Sequence, residues 1–302
     1  MIHCRAIPSS AAPGGALAIF KSFQAFHRFA HSVRVERRYI LSPDSLMFLE
    51  DVKQAAKTRV KTLPKGFHLW RAQTGSESHD LEIWKDIVHV SPLPAKRMLP
   101  DPKLVGDGRL NPRGIAYLYL AEDELTAIAE VRPWLSADVS VAKFELLRDC
   151  KILDCTGPTD RSSLYGMTLV SDPTGKESAK LIPPPESDWD EVVWSSISQA
   201  FAEPTDPQDS TLTYAPTQII AEVLRNDGYD GIRYQSSMLK EGVNVALFDV
   251  QSAKGSEPEL KRVTSIKYKY SRGGTVRFAG VPTPGEFFKE VERAAPPTEP
   301  TA

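Results

Sequence analysis

Residues 108–133 read GRLNPRGIAYLYLAEDELTAIAEVRP. The first seven pack Gly108, Pro112, Gly114 and two arginines into a turn. Residues 115–120 are an apolar and aromatic run after turn residues, which predicts a strand. Asp123 opens a short helix over about 123–131 that Pro133 stops. Working outward, residues 67–71 alternate as a strand, and 138–146 and 151–154 supply two more. Helical stripes over 190–201 and 216–227 follow, the second with Gly228 as its stop signal, and strands are expected again at 231–234, 243–248 and 263–270. Strands come early and late with helices segregated between them, so the class is α+β and not alternating α/β.

The 302 residues are 41% hydrophobic and 25% charged, an ordinary globular composition that excludes wholesale disorder, collagen and coiled coil. A net charge of −2 gives no global field to draw the chain to nucleic acid or anionic lipid, and no apolar stretch approaches a membrane span. Cys4, Cys150 and Cys155 are too few and too far from histidines for a disulfide framework or a structural zinc site; reduced, packed thiols in a cytosol are expected.

Residues 1–35 contain no Asp or Glu, a bias shared with transit peptides. Ile19, Phe20, Phe23, Phe26, Ala30 and Val33 recur at helical spacing, however, which predicts an amphipathic helix over about 16–38 and leaves 1–15 as a loose tail. Ser42-Pro43-Asp44 opens a second helix to about residue 62. Residues 76–114 are expected to be mostly irregular. The organisation is therefore a tail at 1–15, a helical segment at 16–64, a main domain at 65–272 with a Pro/Ser/Asp-rich insertion at 157–213, and a disordered tail at 273–302.

No GxxxxGK[ST], strand-linked GxGxxG or GxSxG occurs, and His27 and His31 lack the Glu and third ligand of a zinc protease. Three places break local rules. Arg71 ends its strand on the side of Phe67 and Leu69, so it either snorkels at an edge or faces a ligand. The 106–114 loop presents Arg109 and Arg113 either to a phosphate or simply to solvent. Glu130, among small apolar residues, belongs to a solvated helix face or points into a cleft.

Taken in order, the segments LWRA at 69–72, GRLNPRGIAYLYLA at 108–121, TAIAEVRP at 126–133, TQIIAE at 217–222, GYDGIRYQSS at 228–237 and NVALFD at 244–249 resemble the RES domain family, named for its Arg, Glu and Ser. The resemblance covers about residues 65–250. At Leu110 the chain departs from the many members that carry an aromatic after the Arg.

The resemblance implies an ADP-ribosyltransferase-like mixed or antiparallel sheet with flanking helices, in a bacterial cytoplasmic toxin that consumes NAD+. It implies cleavage of the nicotinamide–ribose bond by phosphorolysis or hydrolysis, without cofactor or metal, NAD+ and phosphate being substrates. Protein ADP-ribosylation at the same site and a non-enzymatic binding module are the alternatives. On the matching positions, Glu130 would stabilise the oxocarbenium-like charge and Arg71 and Arg109 would pair with the pyrophosphate. Tyr119 would stack on nicotinamide, and Ser236 would bond the carboxamide or orient the Glu. An antitoxin with an Xre- or ParS-like helical domain is the implied partner. The N-terminal helical segment and the insertion are candidates for contacting it or for forming a homo-oligomer.

Overall fold

The computed structural model describes residues 18–80, 88–157, 168–171, 177–180, 184–203 and 210–267. The two expected tails lie outside these residues, as do Cys4 and much of the insertion. The expected α+β class is what the chain adopts. Its helices are α1 (Ala25–His31), α2 (Pro43–Ala56), α3 (Glu124–Glu130), α4 (Trp189–Ala202) and α5 (Ser210–Asn226). Its strands are β1 (Val60–Leu63), β2 (His68–Thr74), β3 (Ser76–Asp80), β4 (Val88–Pro92), β5 (Leu118–Ala121), β6 (Asp138–Leu146), β7 (Cys150–Cys155), β8 (Thr168–Ser171), β9 (Glu177–Lys180), β10 (Gly231–Gln235), β11 (Val243–Leu247), β12 (Ala253–Gly255) and β13 (Glu259–Arg262).

Nine strands form one sheet in the order β1-β7-β10-β11-β5-β2-β6-β12, with β13 also on β6. Among the described residues only β7 and β10 run parallel. Alternation along the strands sorts the core onto two faces. Tyr117, Leu153, Ile232, Tyr234 and Ala246 meet α1, α2, α4 and α5. Leu118, Leu120, Ile152, Val245 and Leu247 meet Phe144, Leu146 and Met98 on the other side.

The N-terminal helices dock on this core. Phe20 lies edge-on to Trp194 at 6.4 Å, and Phe29 stacks on Phe48 at 4.7 Å. Each such buried aromatic contributes roughly 1.5–3 kcal/mol. The expected helix over 16–38 is shorter than the spacing suggests: α1 begins at Ala25 and continues as a π-helical turn, Ser32–Glu36. Upstream, the Ile19 and Phe20 N–H groups donate to the two Asp190 oxygens at 3.1 and 2.9 Å, which commits them to a non-helical course.

Other expectations need correction. The second helix ends at Ala56, and residues 60–63 pair with Cys150–Leu153 as an edge strand. Residues 76–92 are not irregular throughout, since β3 and β4 pair. The last helix runs upstream through Pro216, which has no N–H to give to the preceding turn. It stops as expected at Gly228, whose φ of +80° is the left-handed conformation of a helix end. The expected strand at 263–270 is replaced by β13, because β6, its partner, begins at Asp138 opposite Arg262. The described part of 263–267 is not strand.

Arg233 ties the sheet together where β7, β10 and the residue after β5 meet. Its Nε and Nη2 donate to the Glu122 carboxylate at 2.6 and 2.9 Å, and Nη1 donates to both Asp154 oxygens and to Thr156 Oγ1.

Candidate active site

Strands β2 and β5 pair at one position only, Trp70 opposite Ala121. Leu118, Tyr119 and Leu120 therefore have no ladder partner on β2, and a cavity of about 280 Å³ lies beside this gap. Arg71 fills part of it, with Nη1 donating to the Tyr119 carbonyl at 3.0 Å in place of a strand N–H. Its Nε is buried and bonds nothing among the described residues. Burial lowers the Arg71 pKa from its ordinary value, with the Tyr119 hydroxyl opposing. A buried cation with an unused N–H is a strong attractant for an anion.

Arg109 reaches the same cavity from the 106–114 loop. Two neighbouring residues of α5 hold that loop: Thr217 Oγ1 donates to the Arg109 carbonyl, and Gln218 Nε2 donates to the Gly108 and Asn111 carbonyls, both at 2.9 Å. The Arg109 guanidinium lies beside the Tyr234 hydroxyl and 3.4 Å from the Phe201 carbonyl. Burial pushes the Tyr234 phenol up, Arg109 opposing.

Tyr119 also lines the cavity, but its hydroxyl is committed elsewhere. It donates to Asn111 Oδ1 at 2.7 Å and accepts the Leu110 N–H at 3.1 Å, and burial pushes its pKa far above the ordinary value. It is thus a neutral phenol that pins the loop. Leu110 itself is fully buried in the core and lies off the cavity, so the departure from the usual aromatic does not shape this wall.

Glu130 ends α3. Asp123 caps that helix, its Oδ1 accepting the Thr126 N–H at 2.8 Å. Arg132, just past the helix end, has φ 46°, a left-handed value that turns the chain out of the helix. Glu130 Oε1 accepts two hydrogen bonds, from Ser236 Oγ and from Asn244 Nδ2, each 2.6 Å. Because Ser236 Oγ also accepts the Met238 and Leu239 N–H groups, its single proton is directed at Glu130. Oε2 bonds nothing among the described residues.

Arg71, Arg109, Tyr119 and Glu130 therefore share one cavity, whereas Ser236 stands behind Glu130 off the cavity wall. Sequence reasoning missed Trp70, Tyr234 and Asn244, which line the same cavity. The available signal was an Asn inside the apolar strand VNVAL, a polar residue on a buried face. A larger hollow of about 640 Å³ lies between α1 and α2, lined by Lys21, Arg28, Glu36, Asp44 and Asp51 among others. None of Arg71, Arg109, Tyr119, Glu130 and Ser236 lines it, and the smaller cavity is the chemical candidate. Cys150 and Cys155 are buried free thiols, and burial pushes both up. Among the described residues no group of three His, Cys, Asp or Glu is arranged to hold a metal.

The sequence model of the RES domain matches residues 68–270. No curated protein matches the chain. Among solved structures, similarity extends to the crystal structure of the M. tuberculosis MbcT-MbcA toxin-antitoxin complex, at 13% identity and a TM-score of 0.35, over 70% of this chain and 92% of that one.

Proposed function

This chain belongs to the RES domain family, and from that premise we propose that it binds NAD+ in the cavity beside β2 and β5 and breaks the bond between nicotinamide and ribose. The observation that carries the reading is the meeting, on one wall, of a carboxylate with an unpaired oxygen and a guanidinium with an unpaired buried N–H. As the C–N bond breaks, its electron pair goes to the pyridinium nitrogen and positive charge gathers on the ribose. Glu130 stabilises that charge. Arg71 and Arg109 hold the pyrophosphate. The Tyr119 ring offers a face to nicotinamide.

The cavity is at the small end of ligand clefts, which run to roughly 300–1,000 Å³. It suits the nicotinamide ribose end of NAD+, with the rest of the dinucleotide along its mouth. The acceptor is phosphate, giving ADP-ribose-1″-phosphate, or water, giving ADP-ribose. No metal or cofactor is needed in this reading. NAD+ is a cytoplasmic metabolite, so the chain acts as a toxin in the bacterial cytoplasm, restrained by an antitoxin with an Xre- or ParS-like helical domain. No helix of the described residues is long and apolar enough to cross a membrane.

The test is to incubate purified protein with NAD+, with and without phosphate, and to identify the products by mass. Release of nicotinamide supports the reading, and the sugar product names the acceptor. Intact NAD+ in both, with folded protein that binds NAD+, would leave a binding module instead.

A further inference from the structure

We propose that Asn244 is a positioning residue that fixes the plane of the Glu130 carboxylate, so that one oxygen is held and the other is free for the substrate. This rests on the reading that Glu130 carries the chemistry. A carboxylate at the end of a short helix can rotate about its last bond and turn its plane away from the substrate. Here one oxygen is taken twice: the Asn244 amide and the Ser236 hydroxyl both donate to Oε1 at 2.6 Å, and Oε2 is left without a partner. Ser236 alone, sitting on the turn after β10, would fix one contact but not the rotation. Asn244 supplies the second from a different element. It is 4% exposed and stands at the centre of the sheet, in register with Tyr234 on β10 and Ala121 on β5.

A side-chain amide suits this position. It donates a hydrogen bond without adding charge, so the negative charge of Glu130 is oriented and not neutralised. An arginine in its place would pair with the carboxylate and blunt it toward a developing cation. A buried asparagine inside VNVAL costs desolvation unless it is bonded, and Glu130 is the only hydrogen-bond partner its side chain has among the described residues. The other titratable groups on this wall are Arg71 from β2, Arg109 from the loop, Tyr119 from β5 and Tyr234 from β10.

Asn244→Ala and Asn244→Asp test the proposal through steady-state kinetics across pH, with thermal melts as a check on folding. For the alanine variant, kcat should fall roughly 10- to 100-fold, the range of one hydrogen bond to a charged group, while KM for NAD+ stays within about threefold. The aspartate variant places a second carboxylate against Oε1, so the acid limb of activity should move up by at least about one pH unit. A ¹³C-carboxyl titration of Glu130, assigned by its loss in Glu130→Gln, should move up with it and needs no turnover. The proposal is overturned if the alanine variant keeps its kcat or loses activity through KM alone. An aspartate variant that folds and leaves both the limb and the Glu130 titration unmoved also overturns it. If Asn244→Asp does not fold, the alanine split decides alone. Full activity in Glu130→Gln instead sinks the reading of Glu130 itself.

Discussion

The Tyr119 hydroxyl occupies the space that a side chain at Gly108 would need: a Cβ there would stand 2.8 Å from that oxygen and closer still to Asn111 Oδ1. The same hydroxyl bonds Asn111 and the Leu110 N–H, so glycine, tyrosine and asparagine fix the loop that carries Arg109 as a unit. Gly108→Ala should push this loop off its seat, costing about 1–3 kcal/mol of stability. NAD+ affinity should drop at least tenfold while the far-ultraviolet circular dichroism is kept. Calorimetry showing native affinity would mean that Arg109 does not need this loop geometry.

Arg71→Ala should weaken NAD+ binding by roughly 10- to 100-fold, the worth of a charge-assisted contact of about 1.5–3 kcal/mol. Stability should change little in the free protein, because the lost guanidinium made one hydrogen bond, to Tyr119, and carried an unpaired buried Nε. Calorimetry and a thermal melt on the same sample separate the two. A variant that unfolds, or that binds NAD+ as before, makes Arg71 a structural residue of the β2–β5 gap.

Glu130→Gln keeps size and removes charge. Turnover should fall at least about 100-fold with NAD+ affinity nearly unchanged, as for the loss of one electrostatic stabiliser of the transition state. Glu222→Gln is the comparison, since Glu222 is exposed on α5 and off the cavity. Activity lost in the second variant and kept in the first would exchange their roles.

The Arg233 cluster predicts acid sensitivity. Burial works to raise the Asp154 pKa, but Thr156 and Arg233 outweigh it and hold the carboxyl below its ordinary value. A depressed folded-state pKa gives stability that is whole above the unfolded value of about 3.9 and is lost as pH falls through the folded one. Thermal melting should therefore drop steeply below about pH 4, and less steeply in Asp154→Asn. Arg233→Met should cost about 3 kcal/mol at neutral pH, because it leaves Glu122 and Asp154 half-buried without their cation. Parallel melting curves for wild type and Asp154→Asn through acid would show that this cluster does not set the acid limit.

Much of this was legible where chemistry and local signals coincide. Asp123 and Pro133 bracket α3, and Gly228 ends α5, because caps and stops act over a few residues. Arg71 stood out by breaking an apolar alternation, and it is the residue that enters the gap between strands. What stayed hidden depended on distant partners. Residues 60–63 continue a helical pattern, and only pairing with Cys150–Leu153 makes them a strand. The Asn244 side chain points at a carboxylate 114 residues earlier in the chain, a relation no local period encodes. Tyr119 was expected to offer its ring to a ligand; what the fold shows is its hydroxyl holding a loop.

The two donors on Glu130 also bear on the order in which the protein comes into being. Arg71, Arg109, Tyr119 and Glu130 are all synthesised before Ser236 and Asn244, which follow Glu130 by 106 and 114 residues. A growing chain on the ribosome thus owns its cations and its carboxylate long before it can aim them. Strands β10 and β11, arriving late, also bring the central rungs of the sheet between β7 and β5. The strands that complete the sheet are thus the ones that bring Glu130 its two donors, and a chain ending before residue 236 holds the carboxylate without them.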